Sequence, residues 1–514
     1  MTLLAETRGR GRWGVLALGA LIFAYAFLIQ PTGDNQKSHY ALLRALADGR
    51  AHVDEVRTNP HLRTIDVTEH GDHLYAAKSP GLALVSLPPY LVLEQLGVDT
   101  DGDTTRILWA LHLWAAVLPA LVLLLLVRRV ADEVEPGTGV AAAVILGAST
   151  LVLPFSTLYF SHLLAAALTF GAFVVLWRER SRAPSPALVA AGGLLAGWSA
   201  TTEASTALAA VVLGVYALGR ERRLARALAF AGAFAVGVAP TPIFNWWALG
   251  SPFDSPYEGW HYPGEPVASG SFGFGVPSFR SLLVVLLYPT GLALLAAGIA
   301  GAILLLRSRR AEALVILTST GAFVLANAMS PDLLGGAAPG PRYLMPVFPF
   351  LAVGIALALR RFPGEAIGLA LAGAVMLVAF TVTSPLAAFD QRVIQRLRDH
   401  SVVGSVLELV GITSGYSVLV FGLAVAVALA AAARTLGLAP SGRDLLGALL
   451  TAAAFAAVAT QVPRLVDEGS PWGESAAALL LVTAAVAAVV AARRTGLTRG
   501  RAVTMRGRGA LRGP

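Results

Sequence analysis

The stretch WGVLALGALIFAYAFLIQPTGDNQKSHYALLRALADG, residues 13–49, decides how the chain folds. Residues 13–30 carry no charged side chain, whereas residues 34–40 include an acid, amides, a lysine, a histidine and a tyrosine. A membrane-spanning helix needs about 20 consecutive apolar residues, and the first run approaches that length. The sequence therefore predicts a helix that crosses a membrane, and a polar cluster that begins where this helix leaves the bilayer.

The composition extends this interpretation to the whole chain. Of its 514 residues, 56% are hydrophobic and only 14% are charged, and the mean hydropathy is +0.68. A soluble domain typically carries about 25% charged residues. Cysteine is absent, which excludes disulfide bonds. We therefore predict an all-α polytopic membrane protein, and we expect the first apolar run to be retained because no small-residue cleavage site follows it.

Apolar runs that suit a membrane span recur along the chain, and about 14 of them can be distinguished. They lie at roughly 13–30, 107–127, 139–156, 163–177, 187–201, 204–219, 227–247, 281–306, 311–329, 342–360, 364–384, 416–433, 444–461 and 476–492. This even count predicts that both termini lie on the same side of the membrane.

Arginines occur in clusters that alternate with long polar loops. The clusters include Arg8, Arg10 and Arg12; Arg178, Arg180 and Arg182; Arg220, Arg222, Arg223 and Arg226; Arg307, Arg309 and Arg310; and Arg360 and Arg361. Positive charge concentrates in cytoplasmic loops, so the N-terminus (1–12) and the basic tail (493–514) are predicted to be cytoplasmic in a plasma-membrane protein. The net charge of +8 then reflects topology, and no nucleic-acid partner is expected.

The first outer loop, 31–106, is the longest, and a second long loop covers 248–280. The first loop begins with an amphipathic helical pattern that Asp48 and Gly49 should end. It continues into GLALVSLPPYLVLEQLG, residues 81–97, where Pro88 and Pro89 should break the helix. We expect this segment to be an interfacial helix and not a span.

Four stretches together resemble the polyprenol-phosphate-sugar glycosyltransferases of the GT-C fold, the group that contains protein O-mannosyltransferases and lipid A aminoarabinose transferases. They are GDNQKSHYALLRALADG (33–49), LYAAKSPGLALVSLPPYLVL (74–93), FNWWALGSPFDSPYEGW (244–260) and GGAAPGPRYLMPVFPFLAVG (335–354). The resemblance covers most of 13–360 and implies a GT-C-like catalytic membrane module there. Residues 361–492 are predicted as transmembrane helices of unassigned role.

Sugar transfer from a lipid phosphate to a hydroxyl needs a base for the acceptor proton and cations for the phosphate leaving group. The resemblance puts the catalytic aspartate at Asp34, although Asp34 with its neighbours also suits a simple turn and helix cap. Relatives often carry a second acid where this chain has Asn35. Hard cations favour several anionic oxygens, so we predict no essential metal at this position and no cofactor, leaving open a divalent cation elsewhere.

Lys78, Arg342 and Tyr343 are the candidates for binding the donor phosphate, because an ammonium, a guanidinium and a hydroxyl all suit phosphate oxygens. Lys78 also suits a solvated loop, and Arg342 a snorkelling position at a span end. Further possible substrate contacts are Asn35, His39, Tyr40, His162, Glu203 and Tyr257. For these the alternative is interfacial anchoring or, for Glu203, a wet hairpin tip. Lys37 is interpreted as a surface charge.

The resemblance thus implies an inverting glycosyltransferase with an extracytoplasmic active site. Its partners would be a polyprenyl-phosphate sugar donor, membrane lipids, and a glycan, lipid or protein acceptor. A multi-span transporter or flippase is the alternative from another class, although transporters usually carry ionisable residues inside their spans. A protein like the O-antigen ligases or polymerases is a third possibility, and would need no aspartate after the first span.

Overall fold

The computed structural model describes residues 2–257, 275–386, 392–412, 414–437, 441–466 and 473. Its first part contains α1 (Thr2–Phe27), β1 (Leu28–Ile29), α2 (Asp34–Ala47), β2 (Val67–His70), β3 (His73–Ala76), α3 (Gly81–Gln95), α4 (Thr104–His112), α5 (Leu118–Val134), α6 (Gly139–Ala148), α7 (Val152–Phe155), α8 (Ser161–Arg180), α9 (Pro186–Thr202), α10 (Ala207–Ala217), α11 (Arg223–Val238) and α12 (Pro240–Leu249).

The second part contains α13 (Phe279–Leu287), α14 (Pro289–Ala293), α15 (Ile299–Leu305), α16 (Arg310–Ala328), α17 (Phe348–Arg361), α18 (Pro363–Thr383), α19 (Arg392–Arg398), β4 (Gly404–Ser405), α20 (Ser417–Leu436) and α21 (Gly442–Val466). Short 3-10 helices cover Asp54–Arg57, Ala204–Thr206, Arg342–Val347, Val406–Val410 and Ser414–Tyr416, and π-helical turns cover Leu113–Val117 and Leu294–Gly298.

The predicted all-α membrane architecture is confirmed. In the described ranges, eight helices are long and apolar enough to cross a membrane, or nine if the pair bent by 67° at Tyr288 forms one span. The predicted total of about 14 stays a prediction. Segments 139–156 and 204–219 contain shorter apolar helices, and α9 has only 17 residues. The span predicted at 476–492 lies outside the described residues.

The first loop folds largely as expected. Helix α2 begins at Asp34 and ends before Asp48, and Gly49 follows in the left-handed region at φ +70°, so the predicted helix stop is confirmed. Helix α3, however, continues through Pro88 and Pro89, so the prediction of a break there was wrong. Proline at 89 leaves the Val85 carbonyl without its helical donor, and the Trp114 indole N–H supplies one instead at 3.1 Å.

Arginines from three of the predicted cytoplasmic clusters, Arg180, Arg226 and Arg309, lie at one end of the helix bundle. Arg226 forms a two-point ion pair with Glu179, with both N–O distances 2.7 Å. Arg180 Nε lies 3.8 Å from Glu312 Oε1. The C-terminal end of α8 and the N-terminal ends of α11 and α16 therefore lie together. The opposite end of the bundle then holds the N-terminal end of α8 and the C-terminal end of α9.

The end of α1 is joined to distant parts of the chain. Strand β1 pairs antiparallel with β4, with Leu28 opposite Ser405 and Ile29 opposite Gly404. The buried Gln30 amide donates to Thr157 Oγ1 at 2.9 Å and to the Thr381 carbonyl at 3.0 Å. Helix α1 also packs along α20. The helices after residue 361 are thus in direct contact with the point where the first loop begins.

Candidate functional site

Polar side chains from distant parts of the chain meet at the end of the bundle opposite the arginine clusters. The first loop contributes α2, the segment 64–66 and the residues after β3. The bundle contributes the start of α8, the residue after α9 and the 3-10 helix that precedes α17. We call this group the polar cluster. Of the candidates from the sequence, it contains His39, Lys78, His162, Glu203, Arg342 and Tyr343. Asp66 and Ser161 join it although the sequence did not single them out.

Lys78 is buried and forms a close ion pair with Asp66. Its ammonium also donates to the Ala77 carbonyl at 2.8 Å. Burial lowers the pKa of Lys78, and the Asp66 carboxylate works in the opposite direction without cancelling that effect. The α2 side is fixed by Ser38, whose hydroxyl donates to the Asp66 carbonyl at 2.6 Å. Lys78 is therefore held in place and is not the solvated loop residue considered as its alternative.

The β2–β3 hairpin explains why Asp66 meets Lys78. Val67 pairs with Ala76 in this hairpin, so the residue before β2 comes close to the residues after β3. His70 and His73 flank the connection Gly71–Asp72, and Gly71 adopts φ +60°. A Gly-Asp pair between alternating residues is a hairpin signal. Attention to that signal would have predicted Asp66 as the partner of Lys78.

Glu203 does not lie at a wet hairpin tip. It follows the C-terminal end of α9, and its Oε2 lies 2.9 Å from Nδ1 of the buried His162. The Ser161 hydroxyl donates to the same oxygen at 2.9 Å. Burial works to raise the pKa of Glu203, but His162, Ser161 and the charge of Arg342 together hold it below its usual value. Glu203 is therefore a charged carboxylate in a mostly buried environment.

A close backbone contact between two helices positions Lys78 near Glu203. A Cβ on Gly81 would lie 2.5 Å from Thr202 Cα and 2.7 Å from the Thr201 carbonyl oxygen. Only glycine permits this approach of the start of α3 to the end of α9. Lys78 lies three residues before Gly81, and Glu203 directly follows Thr202. The contact thus holds the first loop against the bundle at the polar cluster.

Arg342 and Tyr343 enter the polar cluster from the 3-10 helix that precedes α17. The Arg342 guanidinium carbon lies 5.8 Å from the centre of the Phe160 ring and 5.6 Å from that of Tyr343. The Tyr343 ring contacts His162 edge to face, with ring centres 6.0 Å apart. Among the described residues, Arg342 forms no ion pair with a carboxylate.

Several buried polar atoms of the polar cluster have no hydrogen-bond partner in the described part of the chain. They are His39 Nδ1, His162 Nε2 and Arg342 Nε, and Asn35 Oδ1 at the start of α2 lacks a partner as well. Buried polar groups are nearly always paired in folded proteins, so such a concentration favours a site that binds a polar ligand. Burial, and then the nearby positive Lys78, lowers the pKa of His39. His39 is therefore a neutral donor and acceptor in this site.

The remaining candidates lie at the edge of the polar cluster or outside it. The Tyr257 ring centre lies 5.9 Å from Lys78 Nζ, so Tyr257 belongs to the edge. Tyr40 points away from the cluster, because its hydroxyl donates to the Thr100 carbonyl at 2.8 Å and its ring contacts Tyr90. Lys37 lies at the surface and donates to a backbone carbonyl at 3.4 Å, in agreement with its interpretation as a surface charge.

Asp34 is exposed at the first turn of α2 and lies at the rim of the polar cluster. Its Oδ1 accepts a hydrogen bond from the Ile65 amide at 3.3 Å, and its carbonyl accepts one from the Thr64 hydroxyl at 2.9 Å. Ile65 directly precedes Asp66, which pairs with Lys78. The N-terminal cap of α2 is Gly33, whose amide donates to Gln36 Oε1. Asp34 is thus joined to the segment that carries Asp66.

No protein-family model matches the sequence, and no curated protein does either. Among solved structures, the fold is similar to ArnT from Cupriavidus metallidurans bound to undecaprenyl phosphate, at 16% identity over 87% of this chain and 79% of that one, with a TM-score of 0.45. The same protein in its apo state matches at 15% identity over 89% and 80%, also with a TM-score of 0.45.

The oligosaccharyltransferase of Archaeoglobus fulgidus in its apo form matches at 12% identity, over 92% of this chain and 59% of that one, with a TM-score of 0.42. At these identities and TM-scores, the likenesses concern the chain trace and assign neither a residue nor an activity to this protein.

Proposed function

We propose that the protein is an integral-membrane glycosyltransferase that moves a sugar from a polyprenyl-phosphate donor to a hydroxyl acceptor. The observation that carries this proposal is the meeting of Lys78 and Arg342 beside Glu203 and His162. The two cations come from distant parts of the chain, and Arg342 has no carboxylate partner among the described residues. Two cations close to a carboxylate suit a substrate that has both a phosphate and sugar hydroxyls.

Lys78 and Arg342 are proposed to bind the donor phosphate. Arginine offers a planar pair of donors and lysine a compact charge, and both stabilise the charge that develops on a phosphate leaving group. The Tyr343 hydroxyl lies on the Arg342 side of the cluster and adds a further donor. A site with little water strengthens these interactions. The burial of Lys78 therefore supports a role in stabilising the leaving group.

Glu203 and His162 are proposed to orient the sugar. Glu203 Oε2 accepts a hydrogen bond from Ser161 and lies 2.9 Å from His162 Nδ1, so this side of the carboxylate has a fixed position. Carboxylates and imidazoles with free acceptor or donor capacity pair well with sugar hydroxyls. His162 Nε2 and His39 Nδ1 both have such capacity in the described part of the chain.

The proposed reaction is a single displacement. The acceptor oxygen attacks the anomeric carbon of the donor, and the bond from that carbon to the phosphate oxygen breaks. The acceptor proton passes to the Asp34 carboxylate, and the bonding electrons leave with polyprenyl phosphate, which Lys78 and Arg342 hold. One displacement inverts the anomeric configuration. Asp34 is exposed and is joined through Ile65 to the segment that carries Asp66, and this position supports the role.

The test is sugar transfer in proteoliposomes with labelled polyprenyl-phosphate sugars and a panel of glycan, lipid and peptide hydroxyl acceptors. We expect wild-type protein to release polyprenyl phosphate, and Asp34→Asn to lower the rate by about 100-fold or more, the range for loss of a general base. Asp72→Asn is the matched control, because Asp72 is an exposed acid in the same loop. Its rate should equal that of the wild type.

Two outcomes would contradict the proposal in different ways. Undiminished transfer by Asp34→Asn would remove Asp34 from the mechanism but leave the glycosyltransferase activity. No transfer from any donor, together with movement of the labelled lipid across the bilayer, would instead identify a flippase. Transfer only from pyrophosphate-linked glycans would identify a ligase or polymerase.

A further inference from the structure

A second cluster of polar side chains lies in the first loop, on residues separate from the polar cluster. It consists of His52, Asp54 and His73, and we call it the histidine pair site. In the ranges that the structure describes, this is the one set of three histidine or acidic residues whose possible ligand atoms all lie within 4.8 Å of one another. It has no part in the proposed sugar transfer.

The geometry of this site is compact. His52 Nδ1 lies 3.0 Å from Asp54 Oδ2, and His73 Nδ1 lies 2.6 Å from the same oxygen. The two imidazole rings are stacked, with centres 4.2 Å apart. Two ring nitrogens therefore lie within 3.0 Å of one carboxylate oxygen. His52 Nδ1 is also a buried atom without a hydrogen-bond partner in the described structure.

The backbone fixes the position of the three side chains. The second oxygen of Asp54, Oδ1, accepts a hydrogen bond from the Leu74 amide at 2.7 Å. The Val53 amide donates to the Leu74 carbonyl, also at 2.7 Å. Asp54 begins the 3-10 helix and His73 begins β3, so the ligand atoms come from two segments that are already joined. A site held in this way needs little rearrangement to bind an ion.

We propose that the histidine pair site binds a divalent transition metal of the Zn²⁺ class through His52, Asp54 and His73. Two imidazole nitrogens and one carboxylate oxygen are a ligand set that Zn²⁺ takes, with water or a fourth ligand completing a tetrahedron. Metal–ligand bonds of about 2.0 to 2.1 Å put tetrahedral ligand atoms roughly 3.3 Å apart. The observed separations of 3.0 and 2.6 Å would open by about 0.3 and about 0.7 Å on metal binding.

The expected role of the metal is structural. It would join the 3-10 helix Asp54–Arg57 to β3, and β3 leads through Ala77 to Lys78. A metal that binds to the folded chain alone stabilises it. The metal would thus hold the hairpin that presents Lys78, without touching the substrate.

The experiment uses the full-length protein in detergent. After removal of metal with a chelator, Zn²⁺ is titrated, bound metal is counted by mass spectrometry, and the melting temperature is followed. We expect one Zn²⁺ per chain and a melting temperature that rises with Zn²⁺ concentration. Co²⁺ in place of Zn²⁺ should give the visible absorption of a tetrahedral site with nitrogen and oxygen ligands.

Variants decide whether these residues are the ligands. His52→Ala and His73→Gln should each weaken Zn²⁺ binding at least about 10-fold, because even a group outside the ligand set typically changes metal affinity 10- to 100-fold. His61→Ala is the matched control, since His61 is an exposed histidine of the same loop, and it should bind like the wild type. Circular dichroism and gel filtration of each variant check that the fold is intact.

The proposal fails if the wild type binds less than one equivalent of Zn²⁺ or if Co²⁺ gives only an octahedral spectrum. It also fails if folded His52→Ala binds as tightly as the wild type, or if His61→Ala loses as much affinity as His73→Gln. None of these results depends on sugar transfer, so the metal site and the proposed function can fail independently.

Discussion

Replacing Lys78 with methionine tests whether this buried lysine binds the donor or only supports the fold. Methionine keeps much of the length and apolar stem of lysine but removes the charge. The change leaves Asp66 without its partner in a place where the side chains of Lys78 and Asp66 are 5% and 12% exposed. Two effects are therefore expected, one on stability and one on donor binding, and they can be measured separately.

The stability effect follows from the ion pair. Breaking a buried pair by removing one partner costs about 3–5 kcal/mol, because the remaining charge is left without compensation. Removing both charges costs much less, and replacement of buried pairs by neutral groups is often nearly neutral. We expect Lys78→Met to be strongly destabilised, and the double variant Asp66→Asn with Lys78→Met to recover most of that loss.

The binding effect follows from the phosphate. A hydrogen bond to a charged group contributes about 1.5–3 kcal/mol, which corresponds to about 10- to 150-fold in the dissociation constant. We expect both the single and the double variant to bind polyprenyl phosphate more weakly by this factor, measured by calorimetry in detergent. Lys37→Met is the matched control, since Lys37 and Lys78 are the only lysines in the chain. Its affinity should be unchanged.

The double variant distinguishes a role of Lys78 in donor binding from a role in the fold alone. If it regains both stability and wild-type affinity for polyprenyl phosphate, Lys78 acts only as the partner of Asp66, and its assignment to the donor phosphate is wrong. If stability returns while affinity stays low, Lys78 binds the phosphate directly.

Three further variants test the contacts that hold the polar cluster and compare them with an ion pair at the opposite end of the bundle. Gly81→Ala should crowd the contact with the Thr202 backbone, lower the free energy of unfolding by about 1–3 kcal/mol and weaken donor binding. Thermal melting and calorimetry measure the two effects. Gly321→Ala is the control, because a Cβ there meets open space, and it should change neither quantity. The pKa of Glu203 is held below its ordinary value of 4.5, so its contribution to stability is complete above pH 4.5 and is lost as the pH falls through the lower pKa. A stability–pH curve for Glu203→Gln should therefore lack that acid fall. Glu179→Gln, at the opposite end, should lower the melting temperature but leave donor binding unchanged.

The membrane architecture could be predicted from the sequence because apolar runs and arginine clusters are long-range patterns with a simple physical cause. Helix α2 and its stop at Gly49 follow from equally local signals. The course of α3 could not be predicted in this way. Its continuation through Pro88 and Pro89 depends on the Trp114 indole, which reaches the Val85 carbonyl from another helix.

The residues of the candidate site could likewise be predicted from the sequence only in part. Lys78, Arg342 and Tyr343 were found because their side-chain groups suit phosphate oxygens, and the structure brings them together with His162 and Glu203. Asp66 was missed because its importance depends on the pairing of β2 with β3 and not on its own sequence context. Tyr40 was included for its closeness to His39 in sequence, but neighbours on a helix point about 100° apart.

The pairing of β1 with β4 has a consequence for how the protein is made. Membrane helices enter the bilayer as they are synthesised, so the first loop leaves the translocation machinery long before Gly404 exists. Until then Leu28 and Ile29 lack their strand partner, and Gln30 lacks the carbonyl of Thr381. The polar end of the molecule can thus reach its final form only when the late helices have been inserted. A protein assembled in this order would complete its polar cluster only near the end of its synthesis.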